Sequence, residues 1–144
     1  TPLRSSAASD VYKRQDLGST LDIYTTFLSL SNIKPQKNMI IDGYDLTKTL
    51  FKHVKSPRKE MFYYNGGELF AVRLNDFKLH FKTSDWFKQP KIHDPPLLYN
   101  LNIDPSERLN IADKNPKKIK EILELVEKHN SNMVIGKDQM GKRN

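Results

Sequence analysis

The chain has 144 residues, 37% of them hydrophobic and 28% charged, and no cysteine. That composition suits a soluble domain with a real core, and it excludes disulfides, a zinc–thiolate site and a cysteine nucleophile within the chain. A net charge of +7, from 24 basic and 17 acidic residues, opens a polyanion-binding reading, but acids interleave the basic residues almost throughout, as on a solvated surface.

Residues 1–15, TPLRSSAASDVYKRQ, lack hydrophobic periodicity and lack the apolar stretch of a signal peptide. Their core, SSAASDVYKRQ, resembles a translated sequencing-adapter scar. The segment is therefore set aside as non-native, and a natural N-terminal part is expected to be missing. Its three basic residues and one acid, once removed, leave +5 for the rest.

Ser19-Thr20-Leu21-Asp22 then reads as a helix start, a hydroxyl followed three residues later by an acid. Leu21, Tyr24, Phe27, Leu28 and Leu30 recur at helical spacing to about Asn32, and Lys34-Pro35 ends the helix. Residues 41–60 mix a Gly turn, a short helical stretch near Leu46 to Lys52 and a Pro-containing loop.

From Glu60 the period changes to two. Met61 to Tyr64 predicts a strand, Asn65-Gly66-Gly67 a turn, and Leu69 to Leu74 a second strand with Phe70, Val72 and Leu74 on one face. Asn75-Asp76 suits a tight hairpin turn. In Phe77 to Lys82, Phe77, Leu79 and Phe81 share the apolar face, while Lys78, His80 and Lys82 face water. Pro95 and Pro96 fit the start of a fourth strand over 97–101 but not its interior, and Asp104-Pro105 opens a turn. Asn115 and Pro116 then suit the N-cap and first position of a closing helix. Its apolar stripe is Ile119, Ile122, Leu123 and Val126, and Lys117–Glu121, Lys120–Glu124 and Glu124–Lys128 pair on its exposed side. Residues 131–144 read as a flexible tail.

The fold class predicted is α+β: a four-stranded antiparallel sheet packed by a C-terminal amphipathic helix, preceded by one further helix.

Candidate chemistry is sparse. His53, His80, His93 and His129 show no metal-ligand spacing, and His129 suits the end of a helix, where a cation is favoured. His93 stands apart because the rigid Asp94-Pro95-Pro96 unit follows it, which would present it to a pocket at little entropic cost; capping of the turn is the alternative. Arg73, Lys78, His80 and Lys82, with Tyr63 or Tyr64, could form a basic stripe for single-stranded nucleic acid, or simply the solvent face of a sheet. Asp42, Asp45, Asp104, Glu107 and Asp113 read as turn residues accepting local backbone bonds.

The order of several stretches carries more than any single residue. STLDIYTTFLSLSN, IDGYDLTKTLF, SPRKEMFYY, LFAVRLNDFKLHF, HDPPLLYNL and DPSERLNIAD resemble, in sequence and spacing, the C-terminal part of arylsulfatases, nearest the arylsulfatase A and galactosamine-sulfatase branch. The resemblance covers roughly residues 16 to 128. It implies that residues 16–59 are the end of an α/β catalytic domain with its linker, and that residues 60–130 are the smaller C-terminal domain. It also implies sulfate-ester hydrolysis by a formylglycine nucleophile beside a calcium ion in the intact protein. No cysteine is present, and none of the eight prolines completes the family's C/S-x-P-x-R motif. The chain alone is therefore expected to be inactive, with no catalytic or metal-binding residue of its own. It would supply scaffold and one wall of the substrate cleft. His93 matches the histidine of H-[DE]-P-P-L-L-Y and is the implied substrate-binding residue.

The implied partners are the missing N-terminal catalytic domain and a sulfated small molecule or glycan, with no nucleic acid and no membrane. The implied location is lysosomal, extracellular or periplasmic. The alternative is a stand-alone basic module binding nucleic acid or a sulfated glycan.

Overall fold

The computed structural model describes residues 16–85 and 89–133. The adapter-like segment and most of the expected tail lie outside them. The chain divides between Lys59 and Glu60 into two compact units.

In the first unit, helix α1 (Leu21–Leu30) opens as its sequence suggests. Ser19 Oγ accepts the Leu21 N–H at 3.2 Å, and the Asp22 carboxylate reaches back to the Ser19 N–H at 2.8 Å. The helix stops before Lys34-Pro35. Asn32 takes a left-handed conformation (φ 54°), and the N–H groups of Ile33 and Asn32 close on the carbonyls of Leu28 and Ser29. This is a Schellman ending, in which Asn rather than Gly supplies the left-handed residue.

The face that α1 buries is its polar one. Asp22 and Thr26 are buried, whereas Leu21, Ile23, Tyr24, Phe27 and Leu30 are exposed, Phe27 by 63%. The loop after α1 provides the reason. The N–H groups of Tyr44 and Leu46 donate to Asp22 Oδ1 and Thr26 Oγ1 at 2.8 and 3.0 Å, so a backbone segment with donors to satisfy has taken the polar side of the helix. Gly43 makes that approach possible, because a Cβ there would lie 2.2 Å from the Leu21 carbonyl oxygen. Helix α2 (Thr47–Lys52) follows, with the Asp45 side chain accepting the Thr47 N–H at 2.8 Å. Asp45 thus plays the expected turn role.

The second unit is built on four strands, β1 (Glu60–Asn65), β2 (Glu68–Leu74), β3 (Phe77–Thr83) and β4 (Lys91–Asn100), paired antiparallel in the order β1-β2-β3-β4. Gly66 and Gly67 both have positive φ in the first hairpin, as a two-residue turn between right-twisted strands demands. Val72 faces Leu79 and Leu79 faces Leu98 across the ladders. These three, with Ala112 and Ile122, form the buried core, and each large side chain so buried contributes about 1.5–3 kcal/mol. Helix α3 (Pro116–Asn132) covers the sheet with Ile119, Ile122, Leu125 and Val126. Leu125 takes the place expected of Leu123, which stays exposed.

Four local expectations need correction. The β1–β2 register shifts between Tyr63 and Tyr64, so alternation breaks in β2. Leu69 packs on the core, while Phe70 lines a hollow with Tyr63 and Ala71. Strand β4 is twice as long as predicted and runs through Pro95 and Pro96. It can do so because it is an edge strand and because its register against β3 is broken between His80 and Lys82, where the prolines remove no ladder bond. Asn115 begins α3 with its backbone only. Its side chain instead donates to the Ile111 carbonyl at 2.9 Å, and Lys118 rather than Lys117 pairs with Glu121.

Candidate functional site

The sheet face opposite the core is polar, and β3 supplies most of it. Lys78, His80 and Lys82 alternate there as the sequence predicts, but they do not simply stand in water. Lys78 Nζ lies 2.7 Å from Glu107 Oε1, and His80 Nε2 lies 2.7 Å from Glu107 Oε2. The imidazole contact is short but off the direction of an aligned hydrogen bond. Lys78 also sits over the Tyr63 ring, and the His80 ring meets Tyr99 edge-on. Burial holds the His80 imidazole below its ordinary pKa, and the Lys78 charge adds to this; Glu107 opposes both. His80 is therefore neutral at pH 7, a desolvated group where the sequence suggested a wet one.

Glu107, expected to serve only its turn, is the hub of this cluster. It holds a positive φ of 53°, a conformation uncommon for residues other than glycine. The turn itself is made by Asp104, whose carboxylate accepts the N–H groups of Arg108 and Leu109, each at 2.8 Å. No sequence signal tied Glu107 to β3, because 29 positions separate it from Lys78.

Lys82 Nζ pairs with Glu68 at 2.9 Å, a contact whose acid is largely exposed, and Arg73 Nε donates to the Asn75 carbonyl. The expected basic stripe is thus compensated: two of its cations face carboxylates, its histidine is neutral, and its arginine is turned to backbone. Charge-driven binding of a long polyanion has little to draw on here.

His93, on β4, is half-buried and brought to Thr83 at the end of β3, with Nε2 and Oγ1 2.8 Å apart. Between the strands a hollow of about 250 Å³ is lined by Tyr63, Phe70, Lys78, His80, Lys82 and Thr83. His129 lies elsewhere. It closes α3 and stacks on Phe62 with ring centroids 3.7 Å apart, while its Nε2 meets the Tyr64 hydroxyl at 2.9 Å. It fastens the helix to β1. Among the described residues no group of three or more His, Cys, Asp or Glu could hold a metal ion.

In the first unit the densest electrostatics surround Asp22 and Arg58. Both are buried, and Arg58 Nη2 and Nε reach the carboxylate at 2.6 and 2.8 Å. Burial pushes the Asp22 pKa up, but the Arg58 hydrogen bond and the N–H groups of Tyr44 and Ser19 together hold it below the ordinary carboxylate value. Arg58 further donates to the Asp42 carbonyl and lies over the Tyr44 ring. The pair ties α1 to the loop and to the Ser56-Pro57-Arg58 segment; it is structural.

An antiparallel sheet closed by one amphipathic helix has sulfatases among its structural neighbours, and the sequence comparisons agree. Residues 56–144 match the family model described as the C-terminal region of aryl-sulfatase, and the chain belongs to that family. It is 30% identical to N-acetylgalactosamine-6-sulfatase of Mus musculus, over 86% of this chain and 28% of the relative. It is 36% identical to arylsulfatase A of Homo sapiens, over 67% of this chain and 22% of the relative. A solved sulfatase from Pseudoalteromonas sp. superimposes with a TM-score of 0.68 at 26% identity, over 84% of this chain and 28% of that one. The chain thus spans about a quarter of the length of the relatives it matches.

Proposed function

We propose that this chain is the closing part of a sulfatase that hydrolyses sulfate esters, supplying scaffold and one wall of the substrate cleft. The observation that carries the reading is the match of residues 56–144 to the aryl-sulfatase C-terminal region. The surface of α1 supports it. A helix that exposes Leu21, Ile23, Tyr24, Phe27 and Leu30 together has an apolar face in want of a cover, and the sheet of an α/β catalytic domain, in the part of the relatives that this chain does not span, is the cover we assign. Residues 16–59 are then the end of that domain with its linker, and residues 60–130 the C-terminal domain.

In this reading His93 faces substrate. Its support is the family motif around it and its contact with Thr83 at the end of β3. The residues of this chain do not fit a formylglycine or a calcium ion: it has no cysteine and no C/S-x-P-x-R motif, and no acid cluster among the described residues suits a metal. Nucleophile and calcium ligands belong, on this proposal, to the catalytic portion. The names of the relatives favour a sulfated sugar or aryl sulfate as substrate, and family kinship favours a lysosomal, extracellular or periplasmic location. No helix among the described residues is long and apolar enough to cross a membrane.

The test is the reading frame that precedes Asp16. A C/S-x-P-x-R motif and a pair of adjacent metal-binding acids are expected there, and a frame that lacks both overturns the enzyme reading.

A further inference from the structure

Residues 46–59, LTKTLFKHVKSPRK, carry four lysines, one arginine and one histidine but no acid. Arg58 is engaged by Asp22, and Lys48 lies in the field of Asp45. Lys52, Lys55 and Lys59 are exposed and make no ion pair with another described residue. An apolar tip stands among these cations. Thr49 is the buried residue of α2, and at about 100° per residue Phe51 lies roughly 200° further round the helix, pointing away from the unit. Phe51 is 65% exposed, Val54 50% and Leu50 43%. His53 ends the helix in a left-handed conformation (φ 58°), and the Val54 N–H reaches the Lys48 carbonyl at 3.4 Å, which folds Val54 back onto α2.

A catalytic domain is the wrong cover for this tip. Lysines are almost never fully buried unless paired, and four of them share the segment. The stretch around α1 has the opposite character: residues 19–32, STLDIYTTFLSLSN, contain no basic residue and suit burial against a sheet. A protein partner is disfavoured on the same ground, since lysine is depleted in protein–protein interfaces. Lysines beside exposed aromatic and aliphatic side chains suit a bilayer surface instead. There the apolar groups enter the headgroup boundary while the ammonium groups meet anionic headgroups.

We propose that residues 46–59 form a peripheral docking surface for an anionic phospholipid bilayer, with Leu50, Phe51 and Val54 entering the headgroup region and Lys52, Lys55 and Lys59 on the lipid anions. No helix among the described residues is long and apolar enough to cross a membrane, so the contact is superficial and reversible. Each lysine near an anionic leaflet raises partition about fivefold. The resemblance to sulfatases implies no such partner, and the inference does not rest on the sulfatase reading.

The experiment is flotation of the full-length protein encoded around this chain with phosphatidylcholine vesicles, plain or containing about a third phosphatidylserine, at low ionic strength. Flotation is expected with the anionic vesicles, little with the neutral ones, and a loss at about 1 M salt, where charges are screened within ~3 Å. The triple variant Lys52→Gln/Lys55→Gln/Lys59→Gln should weaken partition about a hundredfold. Phe51→Ser should weaken it about tenfold, and Lys117→Gln on α3 should leave it unchanged. An unaltered far-UV circular dichroism spectrum and melting temperature certify that each variant is folded. Absence of flotation with the anionic vesicles overturns the proposal. So does equal flotation with the neutral ones, or indifference to the triple variant or to Phe51→Ser. Tighter binding of soluble polyglutamate than of the anionic vesicles also overturns it, in favour of an acidic protein partner. Because no turnover is measured, failure here leaves the sulfatase reading standing, and an inactive full-length protein leaves a positive flotation standing.

Discussion

Replacing Asp22 by asparagine removes the buried carboxylate that Arg58, 7% exposed, reaches through Nε and Nη2 at 2.8 and 2.6 Å. Asp22 also accepts the N–H groups of Ser19 and Tyr44, and an asparagine amide facing those donors can satisfy at most part of the set. Breaking a buried ion pair on one side costs about 3–5 kcal/mol. A unit the size of residues 16–59 holds, at about 0.05–0.15 kcal/mol per residue, roughly 2–7 kcal/mol in all. The substitution should therefore consume most or all of the stability of that unit. The assay is amide hydrogen exchange resolved by residue. Leu21–Leu30 should approach unprotected rates in Asp22→Asn, while the β3 amides keep theirs. The double variant Asp22→Ala/Arg58→Ala should cost less than the sum of the two single changes, because the two side chains contact one another directly. Retained protection in α1, or a loss below about 1 kcal/mol, would refute the assignment of the pair as the fastening of this helix.

Other outcomes follow from the same structure. Leu79→Ala, at the fully buried centre of the sheet, should destabilise the second unit by about 2–5 kcal/mol in chemical denaturation. Gly43→Ala should loosen α1 in the same exchange experiment, because the added Cβ meets the Leu21 carbonyl and the loop must withdraw. The pKa of His80 is lowered in the folded chain, so the unfolded state binds the proton more tightly. Its contribution is complete above the unfolded value near 6.5 and is lost as the pH falls from there towards the folded pKa. His80→Gln should accordingly flatten the rise of stability with pH across that window; an undiminished slope would place the titration elsewhere. In the complete protein, α1 amides should exchange at least tenfold more slowly than in this chain, if the catalytic sheet covers Phe27 and its neighbours.

What the sequence showed and what it hid divide along range. The β3 alternation of Phe77, Leu79 and Phe81 and the stripe of α3 were legible because one periodic element decides them. Phe70 was misplaced because the shift opposite Tyr63 and Tyr64 belongs to a pair of strands, and no single-strand period contains it. Asp22 had a complete local explanation as a helix-capping acid. That explanation is true and insufficient, since its main partner lies 36 positions on. The apolar residues of α1 were legible as one face, whereas the seating of the Gly43 loop on the polar side was not, because its donors to Asp22 and Thr26 lie about twenty positions on. Glu107 shows the same limit: a turn residue by composition, it becomes the anchor of Lys78 and His80 only once β3 lies beside it. His93 is singled out by the family motif, and its spacing from other residues adds nothing to that.

The central claim, that this chain completes a sulfatase and does no chemistry by itself, is tested most directly by hydrolysis of 4-nitrophenyl sulfate. The chain alone and the full-length protein encoded around it are compared under one set of conditions, with His93→Ala in the full-length protein alongside. Turnover is expected only with the full-length protein, reduced in His93→Ala. A full-length protein that releases no nitrophenol, or an isolated chain that releases it as fast, would contradict the account.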